Sequence, residues 1–220
     1  MKWIKIVLYL LIVTLTIIQF NGLENYLINS KISWSFSKLA PYLTLLLGGI
    51  LIAIWFRKYI IMPRTIKNIL FWLILVIPFV VGFVFNPIYE GDFSVNGQKI
   101  NKEIKYSDFL NADLVVITIP GCPFCHESVG TLKKMKERNP NMRIRMVVCS
   151  SDVKALEPYK ESIGDAFDLQ LASDGEKIAN VADMSFPTFV LVKNNLPSEK
   201  WSNDQFGAGA KDVFEKYFKI

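Results

Sequence analysis

Three long apolar runs, 3–20, 39–56 and 69–85, fill most of the first 85 residues. Each holds 17 or 18 residues, near the lower limit for an α-helix crossing a hydrocarbon core about 30 Å thick. Buried core helices of a soluble protein would keep a polar stripe for water, and these runs are apolar on every side. Three transmembrane helices over those ranges are therefore predicted, and residues 86–220 must fold separately in water. The first run starts with Lys2 and Lys5, as a signal peptide would. No small-x-small cleavage site follows in Asn21-Gly22-Leu23-Glu24, so a retained anchor is expected. Pro78 is expected to kink the third span.

Charge divides the chain at the same place. Residues 1–85 carry eight basic residues against Glu24 alone, a net +7, and the remainder carries a net −2 within the total of +5. The basic excess thus belongs to membrane topology. The soluble part has no basic stripe for a phosphate backbone, so no nucleic-acid partner is expected. Lys2 and Lys5, then Arg57, Lys58, Arg64 and Lys67, place the start and the 57–68 loop on the cytoplasmic side. Three crossings from the inside end outside. The predicted location is the cytoplasmic (inner) membrane, multi-pass, with the N-terminus inside and the C-terminal domain extracytoplasmic, or periplasmic if the cell has an outer membrane. Thiol pairs can be held oxidised there. The spans contain no acid, His or Cys, so neither an ion pathway nor a dithiol relay across the bilayer is read in them.

Residues 86–92, with Pro87 and Gly91, read as a linker, and 93–220 as one soluble domain. Phe93 to Ile100 contains Asn96-Gly97 between short alternating segments, a hairpin signal. The stretch 114–119 is β-branched and apolar on both faces, as a central parallel strand would be. It ends at Pro120-Gly121, and Cys122-Pro123-Phe124-Cys125 opens a helix predicted to run to about Arg138. Strands are predicted at 143–149 and 189–192, with a short extended piece at 167–171. Helices are predicted at 152–163, 174–184 and 209–219. Strands alternating with helices give an α/β sheet covered by helices.

Two cysteines three residues apart share a helix face, so their sulfurs can join or part with little backbone movement. At a helix start, orphan N–H groups and the helix dipole favour a thiolate. Cys122, at the cap, gains most and is the expected attacking thiol; Cys125, inside the first turn, is the expected resolving thiol. Pro123 fits the first helical position, where its missing N–H costs nothing.

A strand ending in Cys-x-x-Cys at a helix start, with Phe186-Pro187-Thr188-Phe189 later before another strand, resembles the thioredoxin superfamily. The resemblance covers about 93–219 and leaves the three spans out. The 65-residue step from Cys122 to Pro187 suits an inserted helix–strand unit, as in the membrane-anchored TlpA/ResA-like thiol–disulfide oxidoreductases, and the Asn96-Gly97 hairpin suits that branch too. The resemblance implies a thioredoxin-like α/β fold and no cofactor beyond a redox-active Cys122–Cys125 disulfide. It further implies that Pro187 is cis beside the cysteines, and that the Phe186 backbone pairs with an extended substrate. Pro123 and Phe124 complete the expected substrate contacts. Protein dithiols or disulfides, a membrane redox partner and the lipid bilayer are the expected partners. Three positions depart from the family pattern. Gly121 stands where many members have Trp, the 114–119 strand lacks a buried acid, and Ser128 stands where the TlpA branch often has Glu, with Glu127 one residue early.

Other readings use the same residues. Cys122 to His126 also spells Cys-x-x-Cys-His, the attachment motif of c-type haem, with Met184 as a candidate second axial ligand; a mostly helical domain would be expected then. A purely structural disulfide or a non-catalytic binding module on the same fold are the bland versions. His126 either faces solvent or supports the Cys122 thiolate. Cys149, ending an apolar strand, reads as an inert core thiol. Zinc held by Cys122, Cys125, His126 and Cys149 is disfavoured because adjacent Cys125 and His126 make poor joint ligands, and no metal is expected.

Overall fold

The computed structural model describes residues 2–100 and 106–218. It divides into two units, Met1–Tyr89 and Glu90–Ile220.

The first unit is all helical. Helices α1 (Lys2–Ile18) and α2 (Phe20–Asn29) are bent 79° from each other at Gln19. The run expected as one span over 3–20 falls on this bent pair: α1 stops short of Phe20, and α2 runs on in a new direction. Helix α3 (Trp34–Tyr59) begins five residues before the expected Leu39, because Ser33 caps it by accepting the Phe36 N–H at 3.3 Å. Helix α4 (Arg64–Phe85) contains Pro78, as α3 contains Pro41. Helices α3 and α4 are each long and apolar enough to cross a membrane, and the bent α1–α2 pair makes a third if counted as one crossing. Leu45 and Tyr42 of α3 sit among Ile6, Val13 and Phe20, with the Phe20 and Tyr42 rings edge to face at 4.8 Å. A Cβ on Gly49 would lie 2.7 Å from the Leu75 carbonyl oxygen, so α3 and α4 meet backbone to backbone there.

The second unit is a six-stranded mixed sheet ordered β1-β6-β5-β2-β3-β4. The strands are β1 (Gln98–Lys99), β2 (Leu114–Thr118), β3 (Ile144–Val148), β4 (Asp168–Leu171), β5 (Thr188–Lys193) and β6 (Leu196–Ser202). Strand β2 is buried along its whole length, which its unbroken apolar run requires. It pairs in parallel with β3, which pairs in parallel with β4, and antiparallel with β5, which turns back into β6. Among the described residues, four α-helices accompany the sheet: α5 (Pro123–Arg138), α6 (Glu157–Ile163), α7 (Gly175–Val181) and α8 (Ala208–Phe218). One core gathers Val115, Ile117, Val147 and Val190 with Ile178 and Val181 of α7.

Two expectations fail here. Asn96-Gly97 is not a hairpin turn; it leads into β1, which pairs antiparallel with β6, Gln98 opposite Lys200. Gly97 answers a packing demand, since a Cβ there would come within 2.8 Å of the Trp201 indole. The hairpin lies instead at Asn194-Asn195, both at positive φ (55° and 61°), between β5 and the unanticipated strand β6. Residues 90–92, expected in a linker, belong to a short 3-10 turn, Glu90–Phe93. Gly207 and Gly209 lie so close to Asp92 and Phe93 that neither position admits a Cβ.

Candidate active site

Strand β2 delivers the chain to the site. Beyond Thr118 come Ile119, Pro120 and Gly121; Gly121 turns at φ +69°, a conformation that favours glycine, with nothing near its missing side chain. Cys122 then caps α5, and Pro123 occupies the first turn. The Cys122 Sγ accepts the Cys125 backbone N–H at 3.2 Å. Cys122 and Cys125 are joined in a disulfide with their Cα atoms 5.3 Å apart. Cys122 retains 7% of its surface, whereas Cys125 retains none. Pro123 and Phe124 between them are exposed.

The Phe186–Pro187 peptide bond is cis. Thr188, heading β5, is level with Ile117 of β2. Pro187 therefore precedes the end of β5 that pairs with the C-terminal end of β2, the end from which the chain runs on to Cys122. Pro187 is buried, and Phe186 is half-buried against the core. The preceding turn is formed by Asp183 and Met184, both left-handed, and is fastened by the Thr188 hydroxyl donating to the Ser185 carbonyl at 2.6 Å. Helix α7 consequently stops at Val181 rather than 184, and Met184 is left exposed.

His126 is half-buried, and its ring stacks flat on Tyr159 of α6, centroids 4.2 Å apart and planes within 7°. Ser128 is buried and donates to the Cys125 carbonyl at 2.7 Å. Cys149, just past β3, donates its N–H to the Thr118 carbonyl at 2.8 Å, and its side chain packs on the α7 side of the sheet. Burial, with the negative Asp108 nearby as the lesser cause, pushes its thiol up to about 11. Such a thiol stays protonated at neutral pH, although Cys149 is half-buried against the core and not fully within it.

Two side chains near these elements carry no sequence signal. Asp108 is fully buried, and its carboxylate accepts from Gln170 Nε2, from the Ser173 N–H and from the Ser173 hydroxyl. Tyr159 is also fully buried and donates its hydroxyl to the Ile119 carbonyl at 2.7 Å. Both depend on contacts between segments far apart in sequence, which no local spacing encodes.

Beside α5 a small cavity of about 160 Å³ is lined by Phe124, Ser128, Phe189 and Phe206. A larger cavity, about 570 Å³, lies at the opposite end of β3, among Lys136, Arg143, Arg145 and Asp168. Its cations are engaged: Arg143 grips Asp113, Arg145 reaches Asp168 and the Leu110 carbonyl, and Lys136 reaches the Pro140 and Met142 carbonyls. It is a structural recess. Among the described residues no group of three or more metal-binding side chains gathers.

A buried central strand that delivers Cys-x-x-Cys to a helix start, a parallel neighbour on one side, an antiparallel hairpin on the other, and a cis-proline heading the hairpin define a thioredoxin-like domain. No protein-family model matches the chain, and no curated protein does. Among solved structures, it is similar to the thioredoxin domain of a thiol-disulfide oxidoreductase from Bacteroides vulgatus, at 17% identity over 60% of this chain and 99% of the other, with a TM-score of 0.43. It is also similar to a secreted Mycobacterium tuberculosis disulfide oxidoreductase described as homologous to E. coli DsbE, at 18% identity over 46% and 78% of the two chains, TM-score 0.35. A third is a thioredoxin-like protein from Bacteroides caccae, at 14% identity over 81% and 77%, TM-score 0.33.

Proposed function

We propose that this chain is a membrane-anchored thiol–disulfide oxidoreductase that exchanges disulfides with protein substrates on the extracytoplasmic side. The observation that carries the reading is the Cys122–Cys125 pair at the start of α5, with the Cys122 sulfur accepting the Cys125 N–H. In the reduced protein the same N–H stabilises a Cys122 thiolate. That thiolate attacks one sulfur of a substrate disulfide, forms a mixed disulfide and releases the other substrate sulfur as a thiolate. Cys125, deprotonated in turn, attacks Cys122, re-forms the internal disulfide and releases the second substrate thiolate. Two electrons pass from the protein to the substrate, and two protons from solvent complete the two substrate thiols. The reverse sequence oxidises a substrate dithiol.

Cys122 and Cys125 are the catalytic residues of this reading. Pro187, the Phe186 backbone, Pro123 and Phe124 border them and meet the substrate. The stacking of His126 on Tyr159 and the strand-rich domain favour this chemistry over haem attachment. The basic 57–68 loop supports a cytoplasmic placement of that loop, hence three crossings and an outward-facing domain. Sustained reduction needs electrons from a membrane partner, because the spans carry no cysteine.

The test is exchange by the detergent-purified full chain against a disulfide protein such as insulin. Cys122→Ser abolishes exchange, and Cys125→Ser accumulates mixed disulfides that dithiothreitol releases. Turnover surviving both substitutions, or wild-type protein with no turnover and no trapped partner, refutes the reading and leaves a binding module. A glutathione titration then gives the direction: a potential near thioredoxin's, about −270 mV, marks a reductant, and one near DsbA's, about −120 mV, marks a disulfide donor.

A further inference from the structure

The turn between β2 and α5 fixes where Cys122 sits, yet it has little to hold it. Pro120 has no N–H to donate, and Gly121 is turned at φ +69° with open space around it. Cys122 keeps its sulfur on the Cys125 N–H only while the chain enters the helix at the right angle, with extended φ −84° and ψ 109° at the cap. One contact that reaches this turn from outside comes from α6, in the segment between β3 and β4. Tyr159 there is fully buried and spans two parts of the site at once. Its hydroxyl donates to the Ile119 carbonyl at 2.7 Å, and its ring lies flat on His126, one turn into α5 from Cys122.

We infer that Tyr159 is a positioning residue for the redox pair: it braces the Ile119–Cys122 turn through its hydroxyl and the first turn of α5 through His126. The inference rests on the thiol–disulfide reading of the site. Burial raises the phenol above its usual value, with the Thr118 hydroxyl opposing as the smaller effect, so the hydroxyl remains a donor at neutral pH. Loosening the brace frees the cap geometry. The disulfide form is held by its covalent bond and is little affected. The reduced form depends on the N–H to sulfur contact and loses thiolate stabilisation. The reduced state is therefore disfavoured and Cys122 becomes a slower nucleophile.

Tyr159→Phe keeps the ring, its burial and the stack, and removes only the hydroxyl. His126→Ala removes the stack and leaves the hydroxyl. Three quantities are read on the full chain in detergent: the glutathione equilibrium constant of the pair, the iodoacetamide rate of Cys122 at pH 7 in a Cys125→Ser background, and the thermal unfolding midpoint. For Tyr159→Phe the equilibrium moves about fivefold towards the disulfide, and Cys122 alkylation slows about fivefold, the weight of one hydrogen bond. The unfolding midpoint moves by no more than a few degrees. His126→Ala shifts the same two quantities in the same direction by a smaller factor. If Tyr159→Phe leaves equilibrium and alkylation at wild-type values, or lowers only the unfolding midpoint, Tyr159 is a packing residue and the inference is wrong. Failure of the underlying reading looks different, because the wild type itself would then show no exchange.

Discussion

The helix that presents the cysteines is pinned at its far end by a buried ion pair, and breaking it separates stability from chemistry. Arg138, in the last turn of α5, donates through Nε to Glu215 Oε1 at 2.5 Å and through Nη2 to Oε2 at 2.8 Å, joining α5 to α8. Asn139 Nδ2 adds a contact to Oε1 at 3.1 Å. The two charged side chains retain only 6% and 3% of their surface. Glu215→Gln keeps the shape and removes the charge that the buried guanidinium grips at two points. Breaking a buried pair at one partner costs about 3–5 kcal/mol. With a urea dependence of about 2 kcal/mol per molar for a domain of this size, the midpoint falls by roughly 1.5–2.5 M. Pulse proteolysis of the detergent-solubilised chain across a urea series measures it. The double variant Arg138→Met/Glu215→Leu removes both charges and recovers most of the loss, because a buried pair adds little over an apolar replacement. In native buffer Glu215→Gln still exchanges disulfides, since Glu215 lies at the other end of α5 from the cysteines. A midpoint shift below about 0.5 M, or a double variant as weak as the single, refutes the reasoning.

Other consequences are simpler to check. Cys149, with its thiol held near 11, stays unlabelled by iodoacetamide at pH 8 in the reduced native protein and labels once urea unfolds the domain, as peptide mapping will show. The same shift sets a pH trend: the folded thiol holds its proton above the ordinary value of 9.0, so this contribution to stability is complete below 9.0 and is lost as pH climbs towards 11. Gly130, exposed on α5 with open space where its side chain would be, accepts alanine; Gly130→Ala raises stability by about 0.5–1 kcal/mol in the same urea assay. Gly49→Leu forces α3 from the Leu75 carbonyl and lowers the thermal midpoint of the helical unit in detergent. Gly22→Ala meets only the flexible Gln19 side chain and serves as the control.

Sequence legibility followed burial. Strand β2 is apolar on both faces because both faces are covered, and helix α5 announces itself by Cys122 and Pro123 at its start. The edge was harder. Strand β6 reads Leu-Pro-Ser-Glu-Lys-Trp-Ser, and only Pro197 and Trp201 in it are buried, so its polar positions disguise it. The Asn-Gly signal misled because glycine at 97 makes room for Trp201, a partner about a hundred residues away. The bend at Gln19 was hidden by an apolar run that looks continuous. Around the cysteines, residues belonging to a local motif were readable, namely Cys122, Cys125 and Pro187. Tyr159 was not, because its role exists only once α6 folds against the turn.

The bend at Gln19 also bears on the kind of bilayer that suits the anchor. Asn21, Asn25, Tyr26 and Asn29 of α2 point outward, and asparagines resist hydrocarbon. Where the bent α1–α2 pair serves as one crossing of the proposed anchor, its straight apolar part is the 17 residues of α1, about 25 Å at 1.5 Å per residue. The 22 residues of α4 extend to about 33 Å. Helices of unequal reach packed around α3 match a single hydrophobic thickness only if the longer ones tilt or the lipid thins beside the shorter. As the membrane anchor proposed above, the unit is thus suited to thin bilayers, and thickening the membrane with longer acyl chains should strain α1 before it strains its neighbours.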